Sequence, residues 1–460
     1  MTTHPSSLDA ATSADHDMLS SHAEPSPIHY RRHGRTTSID DHTDLQVLRR
    51  IRRFMLPNDF VIEDGLLKEM VAGYDIGDLA ADSLVKAGVR FAKPLQHAVL
   101  TDKVPESLKD HPQFSQLAEQ FSQHPRWYDP KLAEIGAIAY RRYPLMLIWL
   151  LRNVALMAGY SIPALSLPLV QTGALTHEAL PRLMRTYAYI LAVSEYPELN
   201  GAASVLAIGS EGWRQSIKVR QIHTMVRHGL LKGQFKSQKI KAGDQDNNPA
   251  CLHQINTHQR ADGSWNSAFW GIPINQTDMV ATHLQFSLLI MRGLRLLGAR
   301  ISEEEAQGIL HLWQLASYWL GVDLQRLPED ETACWAWLYT YLSIQQLDFE
   351  TGKPLARALH DLPSQIMGED NRRGQFVELV NASVTRTLVG DDIGDGLGLP
   401  KSKLRFGVLS AVPILFGLDS ARRYSPTIAS KLEDFRAKRQ DNMNWWLKQH
   451  DDYYQIADSK

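Results

Sequence analysis

Apolar residues recur at helical spacing through almost the whole chain from Leu45 onward, and long alternating strand patterns are missing. A stripe that repeats every three to four residues buries one side of a helix, whereas a half-buried strand needs strict alternation. We therefore expect a mainly α protein, with a single large helical domain over residues 44–450. Residues 1–43 are rich in Ser, Thr, His and Asp and lack this periodicity, which predicts a disordered polar tail.

Three polar clusters interrupt the apolar helical sequence. They are Arg182, Arg185 and Thr186; Arg220, His223 and Arg227; and Pro273–Asp278 running on to Thr282 and His283. The spacings i, i+3, i+4 in the first cluster and i, i+3, i+7 in the second place the polar groups on one helix face. Because apolar residues flank them, we expect these faces to look inward. Cations are rarely buried without a partner, so the pattern indicates an anionic ligand, a metal centre, or both.

His223 is the candidate metal ligand of the second cluster. One interpretation is a satisfied histidine in a helical core. The other starts from Arg220 and Arg227, whose positive charge disfavours the imidazolium form and lowers the histidine pKa. Neutral imidazole is the form that ligates iron, and arginines beside it can pair with carboxylates such as haem propionates. On this second interpretation Arg220 and Arg227 belong to a cofactor site.

The first cluster also admits two interpretations. Arg182, Arg185 and Thr186 either form an ion-pair network with nearby Asp or Glu, or serve as donors over an apolar pocket. Such donors could stabilise a bound oxygen species or a developing oxyanion. The residues alone leave both interpretations open.

Thr282 and His283 are adjacent in the third cluster. Adjacent helical residues project about 100° apart, so one is expected to line the pocket while the other packs. The remaining histidines in the clusters and the region around them are expected to be surface or packing residues: His228, His253, His258 and His311.

Composition excludes several classes of protein. The formal net charge of −2 provides no basic field for nucleic acid. Two cysteines, Cys251 and Cys334, exclude a disulfide scaffold and fit a reducing compartment. The chain has no CxxCH, CxxC or HExxH motif, which excludes covalent c-type haem and the common zinc patterns.

Targeting and membrane signals are weak. Residues 1–20 have no apolar run, so no signal peptide is expected. The most apolar stretch, Leu145–Val170, is interrupted by Arg152, Pro163 and Pro168. This pattern predicts a buried helix followed by a turn, with no transmembrane segment. We expect a cytoplasmic protein.

Capping residues mark several predicted helix starts. These are Ser302 with Glu305 as a capping box, Ser210 for a helix to Leu231, and Thr277 or Asp278 for a helix to Leu297. A polar insertion over residues 234–270 is rich in Gly, Asn, Asp and Gln and is predicted to be a loop. A loop of this length is often functional.

The clusters occur together with other short motifs in an order that resembles the DUF2236 family, which includes MpaB-type oxygenases and latex-clearing proteins. The resemblance covers roughly residues 125–400. The other motifs are Leu169–Gly173, Gly212-Trp213-Arg214, Gly271–Gln276, His311-Leu-Trp313, Gly321-Val-Asp323 and Gly396–Pro400. The shared order makes the resemblance fairly specific.

The resemblance implies haem b held without covalent attachment, in a globin-like helical core with additional helices. By position, His223 is similar to the proximal iron ligand and Arg220 to an arginine that helps to hold the haem site. Arg182 and Thr186 are similar to a distal pair, and Thr282 to a pocket threonine. The resemblance thus implies a haem-dependent oxygenase that uses O2 to oxidise or cleave a hydrophobic small molecule, polyene or lipid.

Two departures from the rubber-cleaving members argue against rubber as the substrate. Those members have a lysine where Arg185 stands, and arginine is a poor iron ligand because it stays protonated. They also use a glutamate some 15–20 residues before the position of Arg182, where Pro163–Val170 contains no acid. Glu178 is the nearest candidate and lies too close to the cluster.

Two alternatives remain open. One is a haem-binding carrier or sensor without turnover, which the missing acid would suit. The other is a magnesium-dependent isoprenoid synthase, because Asp391, Asp392 and Asp395 match the DDxxD pattern that binds Mg²⁺ and pyrophosphate. No second acidic metal motif accompanies these aspartates.

Overall fold

The mainly α class is confirmed. A computed structural model describes residues 45–172, 179–197, 201, 204–234, 265–345, 349–368, 370–432, 434, 435 and 438. Helices fill most of these ranges, which contain no β-strand. The predicted tail over residues 1–43, and residues 235–264 of the predicted insertion, lie outside the described residues.

The helices are numbered here in chain order. The first eight are α1 (Gln46–Phe54), α2 (Asp64–Gly73), α3 (Leu79–Lys86), α4 (Ala92–Thr101), α5 (Pro112–Ser122), α6 (Pro130–Arg141), α7 (Pro144–Tyr160) and α8 (Pro163–Gln171). The next five are α9 (Ala179–Val193), α10 (Glu211–Leu231), α11 (Ser267–Trp270), α12 (Gln276–Leu284, Gln285–Leu289 and Ile290–Leu296 in succession) and α13 (Glu303–Trp319). The last six are α14 (Glu331–Ser343), α15 (Lys353–His360), α16 (Leu362–Met367), α17 (Arg372–Leu388), α18 (Asp391–Gly396) and α19 (Arg405–Tyr424).

Two of the predicted helix starts are confirmed. Ser302 and Glu305 form both hydrogen bonds of a capping box at the start of α13. The Ser210 side chain accepts a hydrogen bond from the backbone N–H of Trp213, so it caps α10, which ends at the predicted Leu231. These caps are legible in the sequence because both partners lie within three residues of each other.

The predicted cap of α12 is wrong. Asn275 caps this helix, since its Oδ1 accepts from the backbone N–H of Asp278 at 2.9 Å. The two predicted cap residues bond to other helices. The hydroxyl of Thr277 donates to the carbonyl of Met70 in α2 at 2.6 Å, and Asp278 accepts from the hydroxyl of Tyr341 in α14 at 3.0 Å. Thr277 and Asp278, which the local pattern predicted to cap α12, therefore bond to residues of other helices instead.

The apolar stretch Leu145–Val170 folds into two helices, α7 and α8. Most of its residues are buried, as expected, but Pro168 lies inside α8 and does not end it. Among the described residues, no single helix is long and apolar enough to span a membrane. The pair Pro130–Arg141 and Pro144–Tyr160, bent by 83°, satisfies the length and composition of a span only when taken together.

Helices α6 and α13 meet at a point where neither has a side chain. A Cβ atom added to Gly136 would lie 2.1 Å from the carbonyl carbon and oxygen of Gly308. This distance is far inside van der Waals contact, so glycine at both positions allows the two backbones to touch. The contact anchors α13, whose Trp313 stacks on Phe286 of α12 with ring centroids 5.5 Å apart.

Both α7 and α12 contain a wider, π-helical segment, Leu151–Leu156 and Gln285–Leu289. The two segments lie against each other in the core. Such segments are rare and often occur near functional sites.

The end of the predicted insertion is not a loop. Residues 265–270 carry two buried tryptophans, Trp265 and Trp270, and include helix α11. Trp265 donates its indole N–H to the carbonyl of Gly271 at 2.8 Å. The sequence predicted a loop here because the residues before this packed segment are polar.

Candidate functional site

Helix α9 presents the first cluster to the interior of the protein. Arg182, Arg185 and Thr186 are all partly buried, and the Thr186 hydroxyl donates to the carbonyl of Arg182 at 3.0 Å. Among the described residues, the Arg182 guanidinium makes no hydrogen bond or ion pair. Burial lowers its pKa, and the nearby phenol of Tyr160 partly offsets that effect. Arg182 is therefore a cation available to a ligand.

Helix α10 carries His223 close to that cation. The Nδ1 atom of His223 is buried and has no hydrogen-bond partner among the described residues. Burial is the main cause that lowers the pKa of His223 to about 4, and the charges of Arg227 and Arg182 add to it against the opposing charge of Asp78. The imidazole is therefore neutral at physiological pH, as a metal ligand must be.

A hydrogen bond joins the two helices next to these residues. Arg182 and Tyr189 on α9 and His223 on α10 are each partly buried. The Tyr189 hydroxyl lies 3.3 Å from the Oγ of Ser216, which ties α9 to α10. The bond thus joins the helix that carries the neutral imidazole to the helix that carries Arg182.

Arg220 is fixed by a buried ion pair with Asp78. Its Nε donates to Asp78 Oδ2 at 2.6 Å and its Nη2 to Asp78 Oδ1 at 3.0 Å. Its remaining nitrogen, Nη1, donates to Oε1 of Gln120 at 2.9 Å. The guanidinium is thus fully engaged by the protein, and it ties α10 to the start of α3.

Arg227 is engaged in a similar way two turns further along α10. It forms a buried ion pair with Asp82 and donates to the carbonyls of Pro273 at 3.1 Å and Ile274 at 2.8 Å. Burial raises the pKa of Asp82, but the charges of Arg227 and His228 outweigh this effect and the net pKa is lowered. Arg227 therefore joins the second cluster to the turn that opens the third.

The two adjacent residues of the third cluster differ in burial. His283 is buried, with Nδ1 2.8 Å from the Oγ of Ser317. Thr282 is only partly buried, and its hydroxyl donates to the carbonyl of Asp278 at 2.9 Å. No side-chain hydrogen bond in the described ranges links Thr282 to Arg182 or His223.

The sequence analysis missed three residues of this arrangement: Asp78, Asp82 and Tyr160. The first two had a signal, because aspartates four residues apart share one face of a helix and match two arginines on one face of another. Tyr160 had none, since only packing places it beside Arg182.

His228 and His311, two of the four histidines expected to be surface or packing residues, lie within the described ranges. His311 stacks on Tyr128 with ring centroids 5.7 Å apart and accepts the backbone N–H of Asp129 at 2.8 Å. His228 lies 3.6 Å from Asp82. His253 and His258 lie outside the described residues. The described ranges contain no group of three or more His, Cys, Asp or Glu side chains that could hold a metal ion.

The aspartates of the DDxxD pattern are occupied by protein partners. Asp391 and Asp395 both pair with Arg386, at 3.4 Å and 2.8 Å. Asp392 accepts from the backbone N–H of Gln46, the first residue of α1, at 2.8 Å. These contacts account for the acidic motif without a metal.

Comparison with known proteins supports the resemblance that the clusters suggested. The sequence model described as "ER-bound oxygenase mpaB/B'/Rubber oxygenase, catalytic domain" matches residues 140–412, more than half of the chain. A rubber oxygenase of Streptomyces sp. (strain K30) is 27% identical over 202 residues, which are 44% of this chain and 41% of that protein. The chain thus matches about two fifths of the length of this curated relative.

One solved structure is also similar, that of latex clearing protein LCP in the closed state. It has 18% sequence identity and a TM-score of 0.49, with 79% of this chain and 82% of that chain covered. The family match includes all three polar clusters and ends before the last turns of α19. This chain therefore belongs to the family of mpaB-type and rubber oxygenase catalytic domains.

Proposed function

We propose that this protein is a haem b-dependent oxygenase that uses O2 to oxidise or cleave a hydrophobic substrate. The observation that carries the proposal is His223, a neutral imidazole with an unpartnered buried nitrogen beside an unpaired arginine. Membership in an oxygenase family supports the reaction class. The cofactor and the substrate are our inference.

The residues fit a haem better than a metal ion bound by side chains alone. A haem iron needs a single neutral imidazole from the protein because the porphyrin supplies the other nitrogen ligands. His223 satisfies this requirement, since its pKa of about 4 leaves it unprotonated. We expect the haem to lie beside Arg182, Tyr189 and His223, which are each only partly buried by the protein.

The haem and the protein residues have different roles in this proposal. When bound, the haem supplies the binding and activation of O2. Arg182, Arg185 and Thr186 provide donors that stabilise negative charge as it develops on oxygen, in a space from which water is excluded. Thr282 lines the pocket from α12.

Arg220 and Arg227 are positioning residues in this proposal. Their guanidinium groups are engaged by Asp78 and Asp82, so they act by fixing the α10 backbone around His223. A histidine that holds a metal keeps its orientation only when surrounding contacts fix it. Propionate pairing by these arginines, one of the expectations from the sequence, would require exchange of those carboxylate partners.

The substrate we propose is a small or medium hydrophobic molecule. Arg185 replaces the lysine of rubber-cleaving members, and Pro163–Val170 offers no carboxylate. In the described ranges, Tyr160 is a protic side chain beside Arg182, but burial raises its pKa, so it holds its proton. We infer that Tyr160 acts as a hydrogen-bond donor and that the base of the rubber-cleaving members has no counterpart in α8.

The first experiment is the ultraviolet–visible spectrum of the purified protein together with a pyridine haemochrome assay. We expect a Soret band and close to one haem b per chain. A colourless protein that cannot be reconstituted with haemin would contradict the proposal.

A haem-binding carrier or sensor is the second candidate, because the acid expected in α8 is missing. Uptake of O2 separates the two candidates. Consumption that depends on a hydrophobic substrate supports the oxygenase. Bound haem with no O2 uptake on any lipid or polyene supports the carrier or sensor. The isoprenoid synthase is not proposed, since Arg386 pairs with Asp391 and Asp395.

A further inference from the structure

A cavity of about 280 Å³ lies between α12 and the helices packed against it. Ala281 and Gln285 of α12 face this cavity, whereas Thr282 projects about 100° away from Ala281. Helices α1, α7, α14 and α17 supply most of the other walls. The volume is close to the lower end of the range for small-molecule sites, roughly 300–1,000 Å³.

The walls of the cavity are apolar, with a positive charge at two points. Among the side chains that line it, the charged ones are Arg50 and Arg292, and none is acidic. The guanidinium of Arg50 donates to the carbonyl of Thr387 at 3.0 Å and so joins α1 to α17. Arg50 thus has a structural partner.

Arg292 has no comparable partner. It makes no hydrogen bond or ion pair with the described residues, although it is only partly exposed. Glu331, the acid whose charge acts on Arg292, accepts from Nη1 of Arg295 at 2.6 Å and 2.7 Å. Burial lowers the pKa of Arg292, and the charge of Arg295 adds to that effect. A partly buried guanidinium on an apolar wall is a suitable partner for the carboxylate of a ligand.

We propose that this cavity binds an amphiphile with an unbranched apolar chain and a single carboxylate, such as a fatty acid. The chain occupies the apolar space between α7, α12 and α14, and the carboxylate pairs with the guanidinium of Arg292. Arginine suits a carboxylate because its planar fork can donate two parallel hydrogen bonds. The proposal does not depend on the oxygenase function, since Thr282, His223 and Arg182 do not line this cavity.

Binding is tested with decanoate and decanol, measured by titration calorimetry on the full chain. We expect decanoate to bind more tightly than decanol, and octanoate about tenfold more weakly than decanoate because two methylenes are lost. In Arg292→Gln the affinity for decanoate falls at least tenfold, roughly the loss of one charge-assisted pair, while that for decanol is unchanged. Arg292→Lys restores part of the difference.

Two further variants locate the site. Ala158 lines the cavity, and Ala158→Phe fills it and weakens binding of both ligands. Trp335 also lines the cavity, so decanoate brominated at its chain end should quench tryptophan fluorescence in the wild type and much less in Trp335→Phe. The control is Arg373→Gln on the exposed surface of α17, which leaves both affinities unchanged.

Three outcomes would overturn the proposal. They are no binding of decanoate to the wild type, equal affinities for decanoate and decanol, and quenching that persists in Trp335→Phe. Circular dichroism and melting temperature confirm that each variant is folded. Haem content is measured in parallel, so that failure of this proposal and failure of the oxygenase proposal are told apart.

Discussion

Arg220 and Asp78 form a two-point ion pair that is almost fully buried, with side chains 5% and 4% exposed. The pair joins residues 142 positions apart in the chain and lies one helical turn from His223. Arg227 and Asp82 repeat the arrangement further along α10. The candidate iron ligand therefore stands on a helix that is pinned to α3 at two points.

Loss of charge at Asp78 should destabilise the protein strongly. Asp78→Asn keeps the shape of the side chain but leaves Arg220 buried without a counter-charge. Such a change typically costs about 3–5 kcal/mol, whereas removal of both charges costs much less. Urea unfolding should therefore show a large loss for Asp78→Asn and partial recovery in Asp78→Asn/Arg220→Met. Equal losses in the single and double variants would show that the pair does not act as a unit.

Removal of the imidazole at position 223 should release the haem. We expect His223→Gly to lower haem affinity by at least roughly tenfold, the lower range of what changes around a metal ligand produce. Added imidazole should restore the Soret band by occupying the space of the lost side chain. His97→Ala, on the exposed surface of α4, is the matched control. Full haem content and an unchanged spectrum in His223→Gly would show that the ligand assignment is wrong.

Arg182 should affect turnover more than cofactor binding. The guanidinium is unpaired in the described structure, so its loss leaves no buried counter-charge behind. We expect Arg182→Ala to retain haem and to lower kcat for O2 uptake about 10²-fold, as removal of one preorganised donor does. The measurement is O2 consumption with a hydrophobic substrate that the wild type oxidises. Unchanged kcat with a raised KM would instead assign Arg182 to substrate binding.

The stability of the protein should depend on pH through His283. Burial lowers its pKa to about 4 in the folded state, below the ordinary value of 6.5. The unfolded chain therefore binds more protons between these values, and the free energy of unfolding falls as the pH is lowered from 6.5 to 4. The contribution is fully present above pH 6.5. Its upper limit is about 3 kcal/mol, since each unit of pKa corresponds to about 1.4 kcal/mol.

Substitution of His283 tests this dependence directly. His283→Gln keeps a group that can bond to Ser317 but does not titrate. Urea unfolding between pH 6.5 and 4.5 should show a shallower dependence on pH in this variant than in the wild type. Identical slopes would place the titration elsewhere.

The contact between Gly136 and Gly308 predicts a large effect from a single methyl group. Gly136→Ala puts a Cβ against the backbone of α13, which cannot yield as a flexible side chain could. We expect a loss of at least about 2–3 kcal/mol, as in other overpacked cores. Gly65→Ala in α2 meets nothing within 4 Å and should stabilise slightly, because alanine favours the helix. Thermal melts of both variants check the prediction, and a neutral Gly136→Ala would contradict the close approach.

Features that depend on neighbouring residues could be predicted from the sequence. The helical class, the capping box of Ser302 and Glu305, and the start of α10 at Ser210 all follow from contacts within one turn. The family also followed from the sequence, because the order of its short motifs survives in the linear chain.

The pairing of residues that are distant in the chain followed only from the packing of the helices. The sequence could not show that Arg220 and Arg227 are engaged by Asp78 and Asp82, because those ion pairs form only when α3 packs on α10. For the same reason it could not show that Asn275 replaces Thr277 as a cap. The position of Arg292 beside an apolar cavity, with no ion pair to the described residues, likewise exists only in the folded protein. Local hydrogen bonds and helical periodicity depend on a few neighbouring residues. The partner of a buried charge depends instead on how whole helices pack against each other.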